Sequence, residues 1–227
     1  MKNVIISNPK RLEKKKRKFK EKGWSKMHIL SDFDKTLTYA FTKGEKTQST
    51  FVMLRNNNCL TPDYPQKSQA LFDKYNPIEM NHKIPIEERK EKMNEWWKKH
   101  LDLLIESKLN ENDIKILIGK GEITTRIGVS EFIDFSKKKN IPIIIMSAGL
   151  GDVIKLYLEK EKKLFNNIHI ISNLFKWDSN GKAIRINPPI IHSANKDETT
   201  IKNISIYEEL KIRRNVLLLG MGSETWR

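Results

Sequence analysis

The sequence predicts an α/β fold, a parallel sheet alternating with helices and carrying a helical insertion after its first strand. Three observations predict it. Short, largely apolar runs at 27–30, 141–146, 168–171 and 216–219 have the length of buried strands. Helical stretches separate the later runs, and strands joined through helices pair in parallel with right-handed crossovers. Three helical stretches between 68 and 119 separate the first run from the rest, so that residues 41–125 read as a helical insertion.

Each element has its own signal. The run at 27–30 enters the polar segment SDFDKTLT, so it reads as a buried strand ending in a loop. Residues 41–65 are polar and turn-rich, with Asn56, Asn57, Asn58 and two prolines, and predict a loop. Helices are predicted at 68–75, 86–107 and 111–119. In the second, Met93, Trp97, Leu101 and Leu104 share one face; in the third, Ile114, Leu117 and Ile118 do. Gly121 closes that block. Beyond it, helices are expected at 129–139, 152–164 and 199–210. Asn180-Gly181 between two short β-rich stretches predicts a tight hairpin. The chain then divides into a basic arm (1–22), a first core segment (23–40), a helical cap (41–125) and a second core segment (126–227).

Composition narrows the class. The 227 residues are 38% hydrophobic and 31% charged, which fits a globular chain rather than a disordered one. Cys59 is the single cysteine, so no intramolecular disulfide forms and a reducing compartment is expected. No apolar signal core opens the chain, and its apolar runs are too short to span a bilayer. A soluble cytoplasmic protein with no membrane partner is therefore expected. The net charge is +15, and residues 10–22 alone contribute nine basic against two acidic side chains. Such a block either solvates a surface helix or makes nonspecific contact with nucleic-acid phosphates.

Asp32 and Asp34, two apart at a strand's carboxyl end, point to one side while Phe33 points inward. The pair suits Mg²⁺, which prefers hard oxygen ligands, and equally suits phosphoryl chemistry with one nucleophile and one proton carrier. An ordinary acidic loop is the plainer reading of the same residues. Residues 147–151, Ser-Ala-Gly-Leu-Gly, follow a strand and open a helix. They form either an anion site of hydroxyl and backbone N–H groups or a simple glycine turn. Lys196 by itself reads as one solvated lysine among many. Trp96 and Trp97 read first as packing in the insertion, with one ring able to double as a base-stacking surface. The five histidines show no metal-binding spacing.

Taken in order, SDFDKTLT, Ser147 and Lys196 resemble the three leading motifs of the haloacid dehalogenase superfamily of phosphotransferases. With KYNPIE, MNEWWKKH, IIIMSAGLGDV, IISNLFKWDSNGK and IHSANKDE, the chain from about 27 to 220 resembles the cytosolic pyrimidine 5′-nucleotidase family. The resemblance implies a Rossmann-like parallel sheet of the haloacid dehalogenase type, with a helical cap after the first strand. It implies Mg²⁺-dependent hydrolysis of nucleoside 5′-monophosphates, chiefly CMP and UMP, although some members prefer 7-methylguanosine monophosphate. Asp32 is then the nucleophile that forms an aspartyl-phosphate, and Asp34 the acid–base; both lie at the metal. Ser147 and the Ala148 backbone hold phosphoryl oxygens, Lys196 neutralises developing charge, and Glu79 recognises the base.

One departure is expected at the tail. After its last strand the family reads Gly-Asp-Ser-x-Gly-Asp, whose acidic residues complete the Mg²⁺ site. Here Gly220 is followed by Met221-Gly222-Ser223-Glu224-Thr225, with Met221 and Thr225 at the acidic positions. The expectation is a chain cut short at its fourth motif. It is then either an enzyme of reduced activity or a nucleotide-binding pseudoenzyme with an incomplete metal site.

Overall fold

The computed structural model describes residues 4–42, 44–57, 59–202 and 205–220. The basic arm forms α1 (Pro9–Lys22), started by the Asn8 side chain, which accepts from the Arg11 N–H at 2.9 Å, and by Pro9 in the first turn. None of its residues is fully buried; Phe19 packs on the margin of the core. A 3₁₀ turn, Trp24–Lys26, then leads into β1 (Met27–Ser31).

The insertion follows: a small hairpin of β2 (Phe41–Thr42) and β3 (Glu45–Lys46), then α2 (Thr50–Asn56), α3 (Tyr64–Met80), α4 (Ile86–Glu106) and α5 (Glu111–Gly119). The rest alternates: α6 (Val129–Lys138), β4 (Ile143–Leu150), α7 (Gly151–Lys160), β5 (Ile168–Asn173), the hairpin of β6 (Phe175–Trp177) and β7 (Ala183–Ile186), α8 (Glu198–Ile201), α9 (Tyr207–Ile212) and β8 (Asn215–Leu219). Among the described residues no helix is long and apolar enough to cross a membrane.

The sheet runs β5-β4-β1-β8 and every pairing in it is parallel. Ser31 lies opposite Ile145, so Asp32 and Ser147 emerge at the same carboxyl edge of neighbouring strands. β4 sits inside the sheet and is buried along nearly its whole length, as its unbroken apolar run requires. One large core joins the sheet to the insertion, taking in Ile29, Phe33 and Ile145 together with Leu54, Leu101, Leu104 and Ile114.

Several elements differ from the sequence expectation. The predicted loop at 41–65 contains α2, begun by Ser49, whose hydroxyl accepts from the Val52 N–H at 3.4 Å. Its apolar residues Met53 and Leu54 are buried, and that tertiary burial outweighs the polar flanks. α3 begins earlier than predicted because Pro65 falls in its first turn, where a missing N–H costs nothing. β4 continues through Ser147 to Leu150, with a register irregularity after Met146, so the residues expected in a loop form an irregular strand end. The single helix predicted at 199–210 is instead two short helices, α8 and α9. Thr200, Ile201 and Ile206 are β-branched and weaken a continuous helix.

Candidate active site

Beyond β1 the chain turns sharply. The Phe33 carbonyl accepts from the N–H groups of Thr36, Leu37 and Thr38, and the Phe33 ring is 1% exposed. With Phe33 anchored inward, Asp32 and Asp34 are left at the sheet edge. The Asp32 Oδ1 accepts from its neighbour's backbone N–H at 2.9 Å and from Lys196 Nζ at 3.0 Å. The two side chains of that ion pair are only 9% (Lys196) and 13% (Asp32) exposed. Lys196, unremarkable in the sequence, is thus a shielded cation placed against one carboxylate.

Asp34 has a raised pKa of about 6. Burial is the main cause and the neighbouring Asp32 charge adds to it, while Lys196 and Lys35 oppose it. A carboxyl poised near neutrality can hold or release a proton at working pH. Asp34 also borders a cavity of about 260 Å³ between the sheet edge and the insertion.

The loop bearing Ser147 is held from several sides. Ser147 Oγ accepts from the Gly149 N–H at 3.0 Å, which leaves the hydroxyl proton for another acceptor. Asn173, fully buried on β5, donates through Nδ2 to the carbonyls of Ala148 (2.9 Å), Gly149 (3.2 Å) and Ile191 (2.8 Å). Its Oδ1 accepts from the Ile191 N–H at 2.9 Å. Asn173 therefore ties the Ser147 loop to the segment that carries Lys196. From the insertion, Trp97 Nε1 also donates to the Ala148 carbonyl at 2.8 Å, and Lys90 pairs with Asp197 at 3.6 Å.

The insertion supplies an aromatic wall. Phe51 on α2, Phe72 on α3, and Trp96, Trp97 and His100 on α4 line the cavity. The Phe51 and His100 rings lie 4.6 Å apart, tilted by 30°. His100 Nε2 is hydrogen-bonded to the Tyr64 hydroxyl at 3.0 Å and lies 3.3 Å from Ser68 Oγ. Burial, reinforced by the Arg55 charge, lowers the His100 pKa to about 4 and keeps the ring neutral. Trp96 stacks on Tyr75 at 5.8 Å as a packing residue, whereas Trp97 joins the wall to the Ser147 loop.

Asp32, Asp34, Ser147, Ala148 and Lys196 therefore gather at one edge of the sheet. Glu79 is half-buried near the end of α3 and is not among the residues lining the aromatic cavity. The expected departure at 221–225 falls outside the described residues. Sequence reasoning did not single out Phe51, His100, Thr50 or Asn173. The one available signal was Ser49 ahead of Thr-Phe-Val-Met-Leu, a helix-start pattern within a stretch read as loop.

The donor chemistry here fits a small, hard divalent cation. Two carboxylates sit close enough for one charge to raise the other's pKa, and a bound cation would relieve that repulsion. Among the described residues no group of three His, Cys, Asp or Glu side chains stands ready to hold a metal. The fit is to an ion such as Mg²⁺, which retains several waters and takes few protein ligands.

A profile described as Pyrimidine 5′-nucleotidase (UMPH-1) matches residues 35–223, beginning one residue after Asp34. The 7-methylguanosine phosphate-specific 5′-nucleotidase of Gallus gallus is 30% identical over 224 residues, covering 98% of this chain and 78% of its own. The 7-methylguanosine phosphate-specific 5′-nucleotidase A of Xenopus laevis is 31% identical over 217 residues, covering 96% and 75%. Among solved structures, cytosolic 5′-nucleotidase IIIB bound to cytidine superposes with a TM-score of 0.82 at 26% identity, over 94% of this chain and 72% of that one. A hydrolase of the haloacid dehalogenase type from Salmonella enterica serovar Typhi shares the fold, with a TM-score of 0.58 at 14% identity, over 93% and 65%.

Proposed function

The chain belongs to the pyrimidine 5′-nucleotidase (UMPH-1) family of hydrolases, and from that premise we propose that it hydrolyses nucleoside 5′-monophosphates, CMP and UMP first, at the Asp32–Asp34 edge. The observation that carries this reading is one constellation. A carboxylate paired with a shielded lysine, a second carboxyl titrating near neutrality and a serine hydroxyl with a free proton share one rim, facing an aromatic cavity.

In this reading Asp32 attacks phosphorus through Oδ2, because Oδ1 already accepts from Lys196 and the Phe33 N–H. A phosphorus–oxygen bond forms to Asp32 as the bond to the 5′ oxygen breaks, and Asp34 gives its proton to that leaving oxygen. Water then attacks the aspartyl-phosphate, Asp34 takes the water's proton, and Asp32 and inorganic phosphate are released. Ser147 and the Ala148 N–H hold phosphoryl oxygens, and Lys196 offsets the charge that builds on them. Asp32 through its carboxylate and Asp34 through its backbone carbonyl would hold Mg²⁺, which leaves the Asp34 carboxyl free to carry protons and would supply further charge neutralisation at the phosphoryl group. The insertion acts as a cap that excludes water; the base-recognising role that the resemblance gives Glu79 requires a base that reaches beyond the aromatic cavity, whose lining does not include it.

A second substrate, 7-methylguanosine monophosphate, is favoured by the aromatic wall. Its methylated base carries positive charge, which ring faces attract. The names of the Gallus and Xenopus relatives support this reading. We assign the protein to the cytoplasm, and assign to α1, with its nine basic residues, a nonspecific contact with nucleic-acid backbone. Loss of RNA retention on deleting 1–22, with a steep salt dependence beforehand, is the outcome expected of that contact.

The test of the main reading is phosphate release with Mg²⁺ from CMP, UMP, GMP and 7-methylguanosine monophosphate, by wild type and Asp32→Asn. Release from at least one of them, abolished by the substitution, is expected. Nucleotide binding in calorimetry without turnover would instead make the chain a pseudoenzyme.

A further inference from the structure

A hydroxyl in the insertion has no role in the scheme above. Thr50 opens α2, immediately after the capping residue Ser49, so its backbone is set by the first helical turn. Its side chain is 3% exposed, and Oγ1 has no hydrogen-bond partner among the described residues. Burying a hydroxyl unpaired is costly, and a bound ligand is one way such a group gains its partner.

The surroundings of Thr50 indicate that partner. A methyl group built onto Gly149 would meet three oxygens almost equally: Asp34 Oδ2 at 3.2 Å, Ser147 Oγ at 3.3 Å and Thr50 Oγ1 at 3.3 Å. The acid–base carboxyl, the phosphate-loop hydroxyl and the insertion's hydroxyl therefore converge on Gly149, closely enough to crowd any side chain there, and Asp34, Thr50 and Gly149 line the same cavity. Thr50 also borders both the aromatic cavity and a smaller cleft shared with Asp34, Lys35 and Thr38. The two cross-links from α4, Trp97 to the Ala148 carbonyl and Lys90 to Asp197, hold the insertion down over this point.

We propose that Thr50 is a further substrate-binding residue whose hydroxyl donates to an oxygen of the phosphate ester once substrate enters the cavity that Thr50 lines with Asp34, Ala148 and Gly149. The proposal rests on the hydrolase reading and adds a contact delivered by the insertion. The hydroxyl is buried when the insertion is docked, so its bond forms only with substrate enclosed. Thr50 then contributes to closure over a phosphate ester rather than to the stability of the free protein.

The experiment compares Thr50→Val, which keeps shape and branching but loses the hydroxyl, with Thr50→Ser, which keeps the hydroxyl. In free Thr50→Val the thermal midpoint stays equal or rises, because no hydrogen bond is lost and a desolvated hydroxyl is removed. Its kcat/KM on CMP falls about tenfold or more, the worth of one hydrogen bond to a charged oxygen, and Thr50→Ser recovers most of that loss. The thermal shifts produced by CMP and by inorganic phosphate give a second readout. Loss of both shifts in Thr50→Val assigns the contact to a phosphoryl oxygen, and loss of the CMP shift alone assigns it to the ester oxygen. Wild-type kinetics and shifts in Thr50→Val overturn the proposal. So does a lowered midpoint in free Thr50→Val with no recovery of turnover in Thr50→Ser. If the wild-type chain binds CMP but releases no phosphate, the hydrolase reading fails and the thermal shifts alone judge Thr50. If it binds neither probe, both readings fall.

Discussion

The sheet-edge wall of the site and the helical wall facing it hold their side chains by different means. At the sheet edge, position comes from directed polar bonds: Asn173 donates to three carbonyls, Phe33 O gathers three N–H groups, and Lys196 is fixed on Asp32. On the helical wall, position comes from packing of rings contributed by α2, α3 and α4. Bonds of the first kind tolerate little displacement, as chemistry at phosphorus requires. Packed rings are held by shape rather than by directed bonds, and in the proposed reading this is the wall that meets the base. Trp97 belongs to both walls, with its ring in the cavity and its N–H on the Ala148 carbonyl.

Substitutions can break this contrast, and the largest effect is expected at the sheet edge. Lys196→Met removes the shielded cation and should lower kcat on the order of a hundred- to thousandfold. It also leaves Asp32 without its ion-pair partner, so the thermal midpoint should fall, by a margin that added Mg²⁺ reduces. Asn173→Asp comes next. It replaces a donor to three carbonyls with an acceptor, and should cost roughly 1–3 kcal/mol of stability in denaturant titration, with a fall in kcat. A normal kcat in that variant would show that the Ser147 loop needs no clamp.

Smaller effects are expected across the cavity. Phe51→Ala should raise the KM for nucleotides on the order of tenfold through lost stacking, leaving a base-free ester such as ribose 5-phosphate unaffected. Equal losses on both substrates would mean that Phe51 supports the whole site rather than the base. The smallest effect is a pH dependence of stability. His100 and His192 are lowered to about 4, chiefly by burial, so the folded state favours their neutral forms. That contribution is complete above the unfolded imidazole value near 6.5 and is lost as pH falls toward 4. Calorimetry should show the thermal midpoint declining over that window, and His100→Asn should flatten part of the decline.

Legibility in the sequence follows the same division. The core strands showed as apolar runs, and Asp32, Asp34 and Ser147 drew notice because each follows a strand-like run, whereas Lys196 was singled out only through the family resemblance. The helices with a strong apolar face were also legible, and the helix predicted at 111–119 coincides with α5. α2 was not, because its seven residues are flanked by polar, turn-prone sequence and owe their helix to burial of Met53 and Leu54. With α2 unread, Thr50 and Phe51 had no place in the site.

The sequence by itself determined the parallel α/β core, the longer inserted helices and the placing of Asp32 and Asp34 at a strand's carboxyl end. Those follow from local periodicity and from residue types at fixed distances along the chain. Only the tertiary structure decided that Phe51, His100, Thr50 and Gly149 line one cavity, that Asn173 clamps two loops, and that Lys196 is shielded against Asp32. The physical reason is that packing and desolvation depend on which surfaces come together. Residues far apart in sequence acquire burial, a missing partner or a shifted pKa only once the chain has closed around them.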